Sequence, residues 1–451
     1  MAKAKSQYIC QSCGATYSKW VGRCENCDEW NTLVEQLVQS AGQSSVDKAS
    51  VSGKKINVES IKTAKEAESV PRIQTGIGDI DTVLGGGIVQ GSVTLLAGQP
   101  GIGKSTILLQ IAAAIARDKS VLYISGEESS HQVALRAARL GAADTEKLDF
   151  ASSTSANDIA ATIRDSKYEL IIVDSIQTVS VDEMTSAPGT VSQITNSSTV
   201  LIRAAKAAGS AMILVGHVTK EGSIAGPKVL EHLVDVVLQF EGDRYGGFKV
   251  VRAAKNRFGA TSEAAIFEMY EDGLKVVENP SAALLEERQL ADGSVVLATL
   301  EGTRPLLVEI QALVNTTSFG YPKRTASGFD LNRLNVLIAV LERRTKLQLS
   351  DKDIYINVVG GMKLNDQAAD LAVCMAIASA AAERQIDEKT VVFGEVGLGG
   401  EVRSVIGVDK RIAEAKKLGF TRAIAPRTGS KTTFVTSVTD IRSALIDYLQ
   451  K

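Results

Sequence analysis

The stretch Gly98-Gln99-Pro100-Gly101-Ile102-Gly103-Lys104-Ser105-Thr106 constrains this chain more than any other. An apolar run, Val93 to Ala97, leads into it and a helix-like segment, Thr106 to Arg117, leads out. A strand, a glycine-rich turn and a helix in that order is the context a Walker A loop requires. Glycines let backbone N–H groups turn inward around phosphate oxygens, and the helix N-terminus adds its dipole. Lys104 sets a cation against the β and γ phosphates, and Ser105 offers its hydroxyl to Mg2+. ATP and Mg2+ are therefore the expected ligands, with Gly98 to Thr106 as the cradle.

Downstream, Leu170-Ile171-Ile172-Val173-Asp174-Ser175 reads as an apolar strand ending in a carboxylate, so Asp174 is expected to hold the magnesium as the Walker B residue. A strand ending in Asp is common; its meaning here comes from the loop upstream. Hydrolysis also needs a group that orients or activates water. Ser125-Gly126-Glu127-Glu128, after the strand Val121 to Ser125, offers two carboxylates, of which Glu127 is the choice and Glu128 the next in line. Glu127, Asp174 and His217 all fall at carboxyl ends of strands, where open α/β sheets take their ligands. For His217 a phosphate-sensing role and a packed core histidine both stay open.

Residues 71–278 alternate such strands (Val93 to Ala97, Val121 to Ser125, Leu170 to Val173, Ala211 to Val215, Val234 to Phe240) with helix-like segments (Thr106 to Arg117, Gln132 to Leu140, Thr190 to Ala208). That succession predicts a mostly parallel α/β sheet. A break at Glu278-Asn279-Pro280 precedes residues 281–451, where Ser294 to Gly302 and Leu306 to Val314 read as paired strands. Helices are expected at Asn332 to Arg344 and Gln367 to Ala382, giving an α+β domain.

Four of the five cysteines lie between positions 10 and 27. Cys10-x2-Cys13, ten residues, then Cys24-x2-Cys27 is the spacing of two knuckles that close a tetrahedron around a structural Zn2+. A redox dithiol pair and an iron-sulfur site are the competing readings of this module, residues 1–34. Trp20, Trp30, Tyr8 and Tyr17 share it with Lys19 and Arg23, a mixture that could stack on bases. The alternative, that so small a module packs its aromatics around its metal, is the favoured one. Residues 35–70, rich in Ser, Lys, Ala and Glu from Ser40 to Ser69, read as a linker.

Lys plus Arg (50) against Asp plus Glu (52) leave a net charge of -2, so the chain is not a basic coat protein and a nucleic-acid surface must be local. Lys323-Arg324 near Tyr321, Arg333, and Arg343-Arg344 with Lys346 are the local clusters, with solvated helix faces as the alternative. The longest apolar stretch, Leu371 to Ala382, is shorter than the ~20 residues of a membrane span. The basic N-terminus gives way to Ser6, Gln7 and Cys10 with no apolar run, so no secretory signal and a reducing, cytoplasmic location are expected.

Thr75-Gly76-Ile77 through Asp81-x2-Leu84-Gly85-Gly86-Gly87, then Gly91, resembles the opening of a RecA-type core. Lys255-Asn256-Arg257-Phe258-Gly259, after the strand-like Lys249 to Ala253, matches the K-N-R-F-G motif of the RadA, or Sms, family of bacterial DNA-repair proteins. The order of cysteine module, RecA-like middle and C-terminal domain is also that family's, so the resemblance covers nearly the whole chain. It implies an ATP-driven motor, similar to hexameric ring helicases, that binds single-stranded DNA. It implies too that branched recombination intermediates are processed, by branch migration, together with the RecA recombinase. Read alone, Lys255 and Arg257 set two cations just beyond a strand, which could complete a neighbouring subunit's ATP site or form a solvated basic turn.

From Ser281 onward the chain resembles the proteolytic domain of Lon proteases, through Gly360-Gly361 to Ala382 and Gly394-Glu395-Val396-Gly397-Leu398-x2-Glu401-Val402. Lon chemistry needs a Ser nucleophile and a Lys base, because an unassisted hydroxyl is a weak nucleophile. Here Ala368-Ala369-Asp370 stands at the nucleophile segment and Asp409 at the lysine position, with Lys410 adjacent and Ser379 further along the helix. The expectation is a protease fold without protease chemistry, used as a ring scaffold and DNA-binding surface. An ATP-dependent Lon-like protease and a RecA-like ATP-binding switch without motor activity remain the alternative functions.

Overall fold

The computed structural model describes residues 5–10, 15–30, 32–38, 71–143, 145–217, 229–242, 247–317, 320–427 and 433–449. Contacts divide the chain into two units: Met1–Gln239 with Ala253–Gly259 and Glu271–Gly273, and Phe240–Arg252 with Ala260–Tyr270 and Leu274–Lys451.

The ATP-site part of the first unit is a parallel sheet in the spatial order Val93–Gly98, Ala211–His217, Leu170–Asp174, Val121–Ser125, Leu148–Ser152. Val93–Gly98, Leu170–Asp174 and Val121–Ser125 are buried along their whole length, as parallel strands covered on both faces must be. Register aligns the strand ends: His217 pairs with Gly98 and Ser125 with Asp174. The strand Leu148–Ser152 and the helix Ala156–Asp165 that follows it were not expected from sequence. This edge strand carries Asp149 and Ser152 and only partly buried positions, so it has no continuous apolar run to announce it.

Local chemistry sets the helix ends. Lys104–Ile115 starts two residues before the expected Thr106, directly at Gly103, whose φ of 116° ends the loop. Ser130–Arg139 begins with a capping box between Ser129 and Gln132. Val191–Ala208 is capped by Thr190 and stopped by Gly209 at φ 70°. The strand Val236–Gly242 starts two residues later than expected, because Asp235 is engaged with the start of the P-loop strand: its N–H donates to Val93 O and its carboxylate accepts from Val93 N. Lys249–Asn256, Ala264–Tyr270 and Gly273–Val276 extend this sheet to nine strands.

The N-terminal module is a three-stranded sheet with Lys5–Cys10 between Thr16–Tyr17 and Leu33–Val38. Pairing of Cys10 with Leu33 through Lys5 with Val38 carries the strand four residues past position 34. Residues 35–38 of the expected linker are thus strand, and residues 39–70 lie outside the described residues. Within the same unit Glu35 is buried, its backbone carbonyl accepting from Ser192 Oγ at 3.0 Å and its carboxylate from Thr185 Oγ1 at 3.3 Å.

The second unit is a seven-stranded mixed sheet ordered Arg324–Ser327, Lys352–Val358, Arg304–Thr316, Ser294–Glu301, Thr390–Val392, Arg422–Ala425, Val435–Ser437. The long hairpin at its centre, Ser294–Glu301 with Arg304–Thr316, is the strand pair expected from sequence. The helix Ala369–Ala382 is buried on nearly every side, and Leu331–Thr345 is capped by Asp330. Phe248, Val250, Ala264 and Ile266 share a core with Val295, Leu307 and Leu337. Contacts therefore place the changeover inside strands before position 278, whereas the Asn279-Pro280 break marks only the capped start of the helix Pro280–Leu285.

Candidate nucleotide site

The loop between the strand Val93–Gly98 and the helix Lys104–Ile115 turns through Gly101 at φ 78° and Gly103 at φ 116°, left-handed backbone that glycine adopts without strain. A Cβ on Gly101 would meet nothing within 4 Å, so the cradle is open at that point. Lys104 is buried, and its Nζ donates to Gly98 O at 2.8 Å, Gln99 O at 3.0 Å and His217 Nδ1 at 3.1 Å. An ammonium has only donors, so Nδ1 of His217 accepts and Nε2 is the nitrogen that faces Glu127 Oε1, 3.5 Å away. Ser175 Oγ donates to the same Glu127 oxygen at 2.5 Å.

Lys104, His217, Glu127 and Ser175 thus form one polar chain at the carboxyl ends of three adjacent strands and of Val93–Gly98. The bond from His217, reinforced by Ser175 and by the charge of Lys104, holds the Glu127 carboxyl down at about 2 against the opposing effect of burial. Glu128 turns the other way, into an ion pair with Arg136. Asp174, also buried, accepts from the Tyr123 hydroxyl at 2.7 Å. Burial, and then the neighbouring Asp174, pushes the Tyr123 phenol well above its ordinary range. The donor set fits its ligands: Lys104 and the N-terminal turn of Lys104–Ile115 suit phosphate, and the Ser105 hydroxyl with the Asp174 carboxylate suits a hard, oxygen-seeking Mg2+.

Sequence reasoning did not find Tyr123, Ser175, Arg136 or Asp235. Tyr123 lies two residues before Ser125 on the same strand face, a period-2 signal that was available. Asp235 was visible only as a carboxylate within an apolar run.

Lys255 and Arg257 make their hydrogen bonds to residues other than those of this chain's phosphate loop. Lys255 Nζ donates to Glu231 O at 2.6 Å and Val234 O at 2.8 Å. Arg257 pairs with Asp235 at 3.0 Å, although its side chain is 55% exposed. Asn256 shapes the turn, accepting from Phe258 N at 2.9 Å. Gly259 lies against Gly85, where a Cβ on either residue would come within 3.0 Å of the other's Cα.

In the N-terminal module Cys10, Cys24 and Cys27 place their sulfurs within 4.8 Å of one another, with Cys10 and Cys27 Sγ 3.6 Å apart. Sulfurs on a tetrahedral zinc stand about 3.8 Å apart, given Zn–S bonds of ~2.3 Å, whereas a disulfide needs ~2.05 Å, so the geometry fits a metal and not a bridge. Cys13 lies outside the described residues. Tyr8, Tyr17 and Val21 pack beside the cysteines. The tryptophans do not, contrary to the favoured expectation: Trp20 is 56% and Trp30 69% exposed, and both rings flank Gly22.

At the position expected of a Lon nucleophile, Ala368 is fully buried. Asp409 and Lys410 are exposed, and Lys410 Nζ donates to Thr303 O. Ser379 is buried and committed, accepting from Gly293 N at 2.9 Å and donating to Arg384 O. A fully buried Arg411 fills the region instead, donating to Asp366 Oδ2 at 2.7 Å, Ala298 O at 2.7 Å and Ile406 O at 3.1 Å. Of the basic clusters, Arg333 is a structural residue paired with buried Asp370 and with Val396 O. Lys323, Arg343 and Lys346 are exposed, as is Arg344, which reaches Leu398 O.

The parallel sheet, its phosphate loop and its strand-end carboxylates define a RecA-like P-loop ATPase carrying a zinc-ribbon module and a Lon-like C-terminal domain. Family comparison agrees part by part: residues 64–223 match the AAA domain, 8–35 the rubredoxin metal binding domain, and 323–429 the ChlI subunit of Mg-chelatase. The chain is 49% identical over 428 residues to the DNA repair protein RadA of Bacillus subtilis (strain 168), covering 94% of this chain and 93% of that one. It is 49% identical over 427 residues to RadA of Pseudomonas aeruginosa, covering 94% of each, and 46% over 434 residues to RadA of Brucella abortus (strain 2308), covering 94% and 92%. The chain belongs to the RadA family of DNA-repair proteins. Membership assigns it ATP hydrolysis and a place in DNA repair and recombination. Among the described residues no helix is long and apolar enough to cross a membrane.

Proposed function

We propose that the chain is a cytoplasmic, Mg2+-dependent and DNA-dependent ATPase that grips single-stranded DNA as a homohexameric ring and migrates branches in recombination intermediates alongside RecA. The observation that carries the reading is His217 between Lys104 and Glu127, one imidazole within reach of both the phosphate cation and the carboxylate. A γ-phosphate would take over the Lys104 ammonium from the Gly98 and Gln99 carbonyls and from Nδ1 of His217, so that occupancy is felt at Glu127. Glu127, anionic at neutral pH and steadied by Ser175, orients the attacking water. When bound, Mg2+ on Ser105 and Asp174 neutralises charge on the phosphates, and the RadA-family zinc on Cys10, Cys13, Cys24 and Cys27 holds the N-terminal module folded.

Lys255 and Arg257 are assigned to a neighbouring subunit's phosphate. Arg257 is exposed enough to reach outward, whereas Lys255 must first exchange its bonds to the Glu231 and Val234 carbonyls. The Lon-like domain, with Ala368, Asp409 and a committed Ser379, is assigned a scaffolding and DNA-binding role without proteolysis, through Lys323-Arg324 and Arg343-Arg344.

The test is ATP turnover with and without single-stranded DNA and RecA. Stimulation by DNA supports the motor; turnover indifferent to DNA, with no branch movement, favours a regulatory switch. Arg257→Ala should fold and bind ATP yet lose about 10^3-fold or more of the stimulated rate, as expected for a missing arginine finger. Mixed rings of Lys104→Ala and Arg257→Ala chains should recover some turnover; none in demonstrably mixed rings would make these residues act in cis. Charge reversal at Lys323, Arg324, Arg343 or Arg344 should lower the salt slope of DNA binding by about 1 per lost contact.

A further inference from the structure

Tyr123 is the one large polar side chain of the strand Val121–Ser125 and is almost wholly buried, yet nothing in the hydrolytic scheme above uses it. Its ring stacks on Phe150 of the edge strand, with centroids 6.4 Å apart and planes at 22°, which fixes where the hydroxyl stands. That hydroxyl lies 2.7 Å from Asp174 Oδ2, across the parallel pairing that sets Ser125 opposite Asp174. A carboxylate has two oxygens, and a buried donor that occupies one of them decides how the other is presented. Ordinarily the groups that hold a metal's ligands in place matter nearly as much as the ligands.

We propose that Tyr123 is a positioning residue for Mg2+: its hydroxyl takes Oδ2 of Asp174 and so steadies the carboxylate that would hold the metal, leaving Oδ1 available to it. This inference rests on the reading of Asp174 as the magnesium carboxylate. The nearby ion pair of Glu128 with Arg136 fits the same account, since it keeps a second carboxylate from competing for the phenol's proton or for the cation. The buried strand thereby serves the site twice: Tyr123 holds Asp174, while Ser125 Oγ accepts from the backbone N–H groups of Glu127 and Glu128 at 3.3 and 3.0 Å.

Tyr123→Phe removes one oxygen and keeps the ring against Phe150. With Mn2+ as the probe, electron paramagnetic resonance measures metal bound together with a non-hydrolysable ATP analogue, independently of turnover. The half-saturating Mn2+ concentration should rise about 10-fold or more in Tyr123→Phe, the range seen when such supporting groups are lost, while analogue binding in EDTA stays at the wild-type level. Turnover should show the same split, with the Mg2+ midpoint raised and the rate at saturating Mg2+ largely restored. A Mn2+ midpoint within twofold of wild type overturns the proposal, as does a rate lowered equally at every Mg2+ concentration, which is the mark of a packing role. Phe150→Leu, which loosens the stack and keeps the hydroxyl, should shift the midpoint by much less than Tyr123→Phe; a shift as large as that of Tyr123→Phe would also overturn it. Asp174→Asn separates the two layers of argument. If it abolishes Mn2+ binding and Tyr123→Phe does not change it, only the role of Tyr123 falls; if Asp174→Asn binds Mn2+ normally, the magnesium reading of Asp174 falls and takes this inference with it.

Discussion

Replacement of Arg411 by Ala would strand a largely buried carboxylate without its cation. Arg411 is 1% exposed and its side chain gives hydrogen bonds to Asp366, Ala298 O and Ile406 O. Removing one partner of a buried ion pair costs roughly 3–5 kcal/mol, mostly because the other charge is left uncompensated. Asp366 would keep three donors, Thr299 Oγ1, Leu300 N and Ala368 N, each at 3.0 Å, which favours the lower end, about 3 kcal/mol. At about 1.4 kcal/mol per factor of ten, amide exchange in the helix Ala369–Ala382 should accelerate on the order of a hundredfold, read by hydrogen exchange with peptide resolution. Amides of the helix Lys104–Ile115 serve as the internal reference and should not change.

The pH dependence follows from the same pair. Burial alone would raise the Asp366 carboxyl, but the hydrogen bond and charge of Arg411 outweigh it and hold it below its ordinary 3.8. Its contribution to stability is therefore present above that value and is lost only as pH falls through the lower folded one. Without Arg411 the main opposition to burial is lost and the carboxyl rises, so the deficit of Arg411→Ala should shrink as pH falls. Asp366→Asn in the Arg411→Ala background removes the stranded charge and should recover about 1 kcal/mol or more. A loss below about 1 kcal/mol in Arg411→Ala, or no recovery in the double variant, would refute the argument.

Further outcomes follow from the other sites. Cys24→Ala should release the zinc and unfold the N-terminal module, seen as loss of metal by elemental analysis and a change in Trp20 and Trp30 fluorescence, since structural zinc supplies about 10–16 kcal/mol to such modules; unchanged zinc content would remove Cys24 from the ligand set. Lys104→Ala should abolish turnover, and Glu127→Gln should bind ATP while turning over about 10^2-fold or more slower; full activity in the latter would move the water-orienting role to Glu128. Because Glu127 is held at about 2, its protonation should leave turnover unaffected at pH 4, whereas His217→Ala removes the main cause and should move the acid limb up toward the ordinary 4.5. Ser379→Ala should cost about 1–2 kcal/mol of stability through its two buried hydrogen bonds and leave a peptidase assay at background; peptide cleavage that this change abolishes would restore the protease reading.

Much of the nucleotide site was legible because phosphate binding is a matter of chain-local chemistry. Gly101, Gly103, Lys104 and Ser105 lie within five residues, and Asp174 and Glu127 follow apolar runs whose ends the sheet aligns. What could not be read is what depends on pairing across the fold. Nothing local joins His217 to Lys104, or Tyr123 to Asp174. Arg333 looked like surface charge because its partner, Asp370, is 37 residues away and buried in another helix. Trp20 and Trp30 were assigned to packing by composition, but the strands of the module give that place to Tyr8 and Tyr17. The Asn279-Pro280 break is a strong local signal, whereas the packing of Phe248, Val250, Ala264 and Ile266 with Val295, Leu307 and Leu337 depends on contacts across the fold that no local signal announces.

Asp235 has a mechanical consequence. Its backbone N–H and its Oδ2 both hold Val93, the first residue of the strand that runs straight to Gly98, while its carbonyl and its Oδ1 both hold Arg257. Two bonds on each side of one buried residue make a stiff linkage with no loop in it. If an adjacent subunit engages Arg257 as proposed above, a pull on its guanidinium is a load on the root of the phosphate loop, delivered along the strand Val93–Gly98 instead of being absorbed by slack chain. In such a ring the same linkage works in reverse: movement of the loop on a nucleotide would be felt at Arg257, and with it at the contact between subunits.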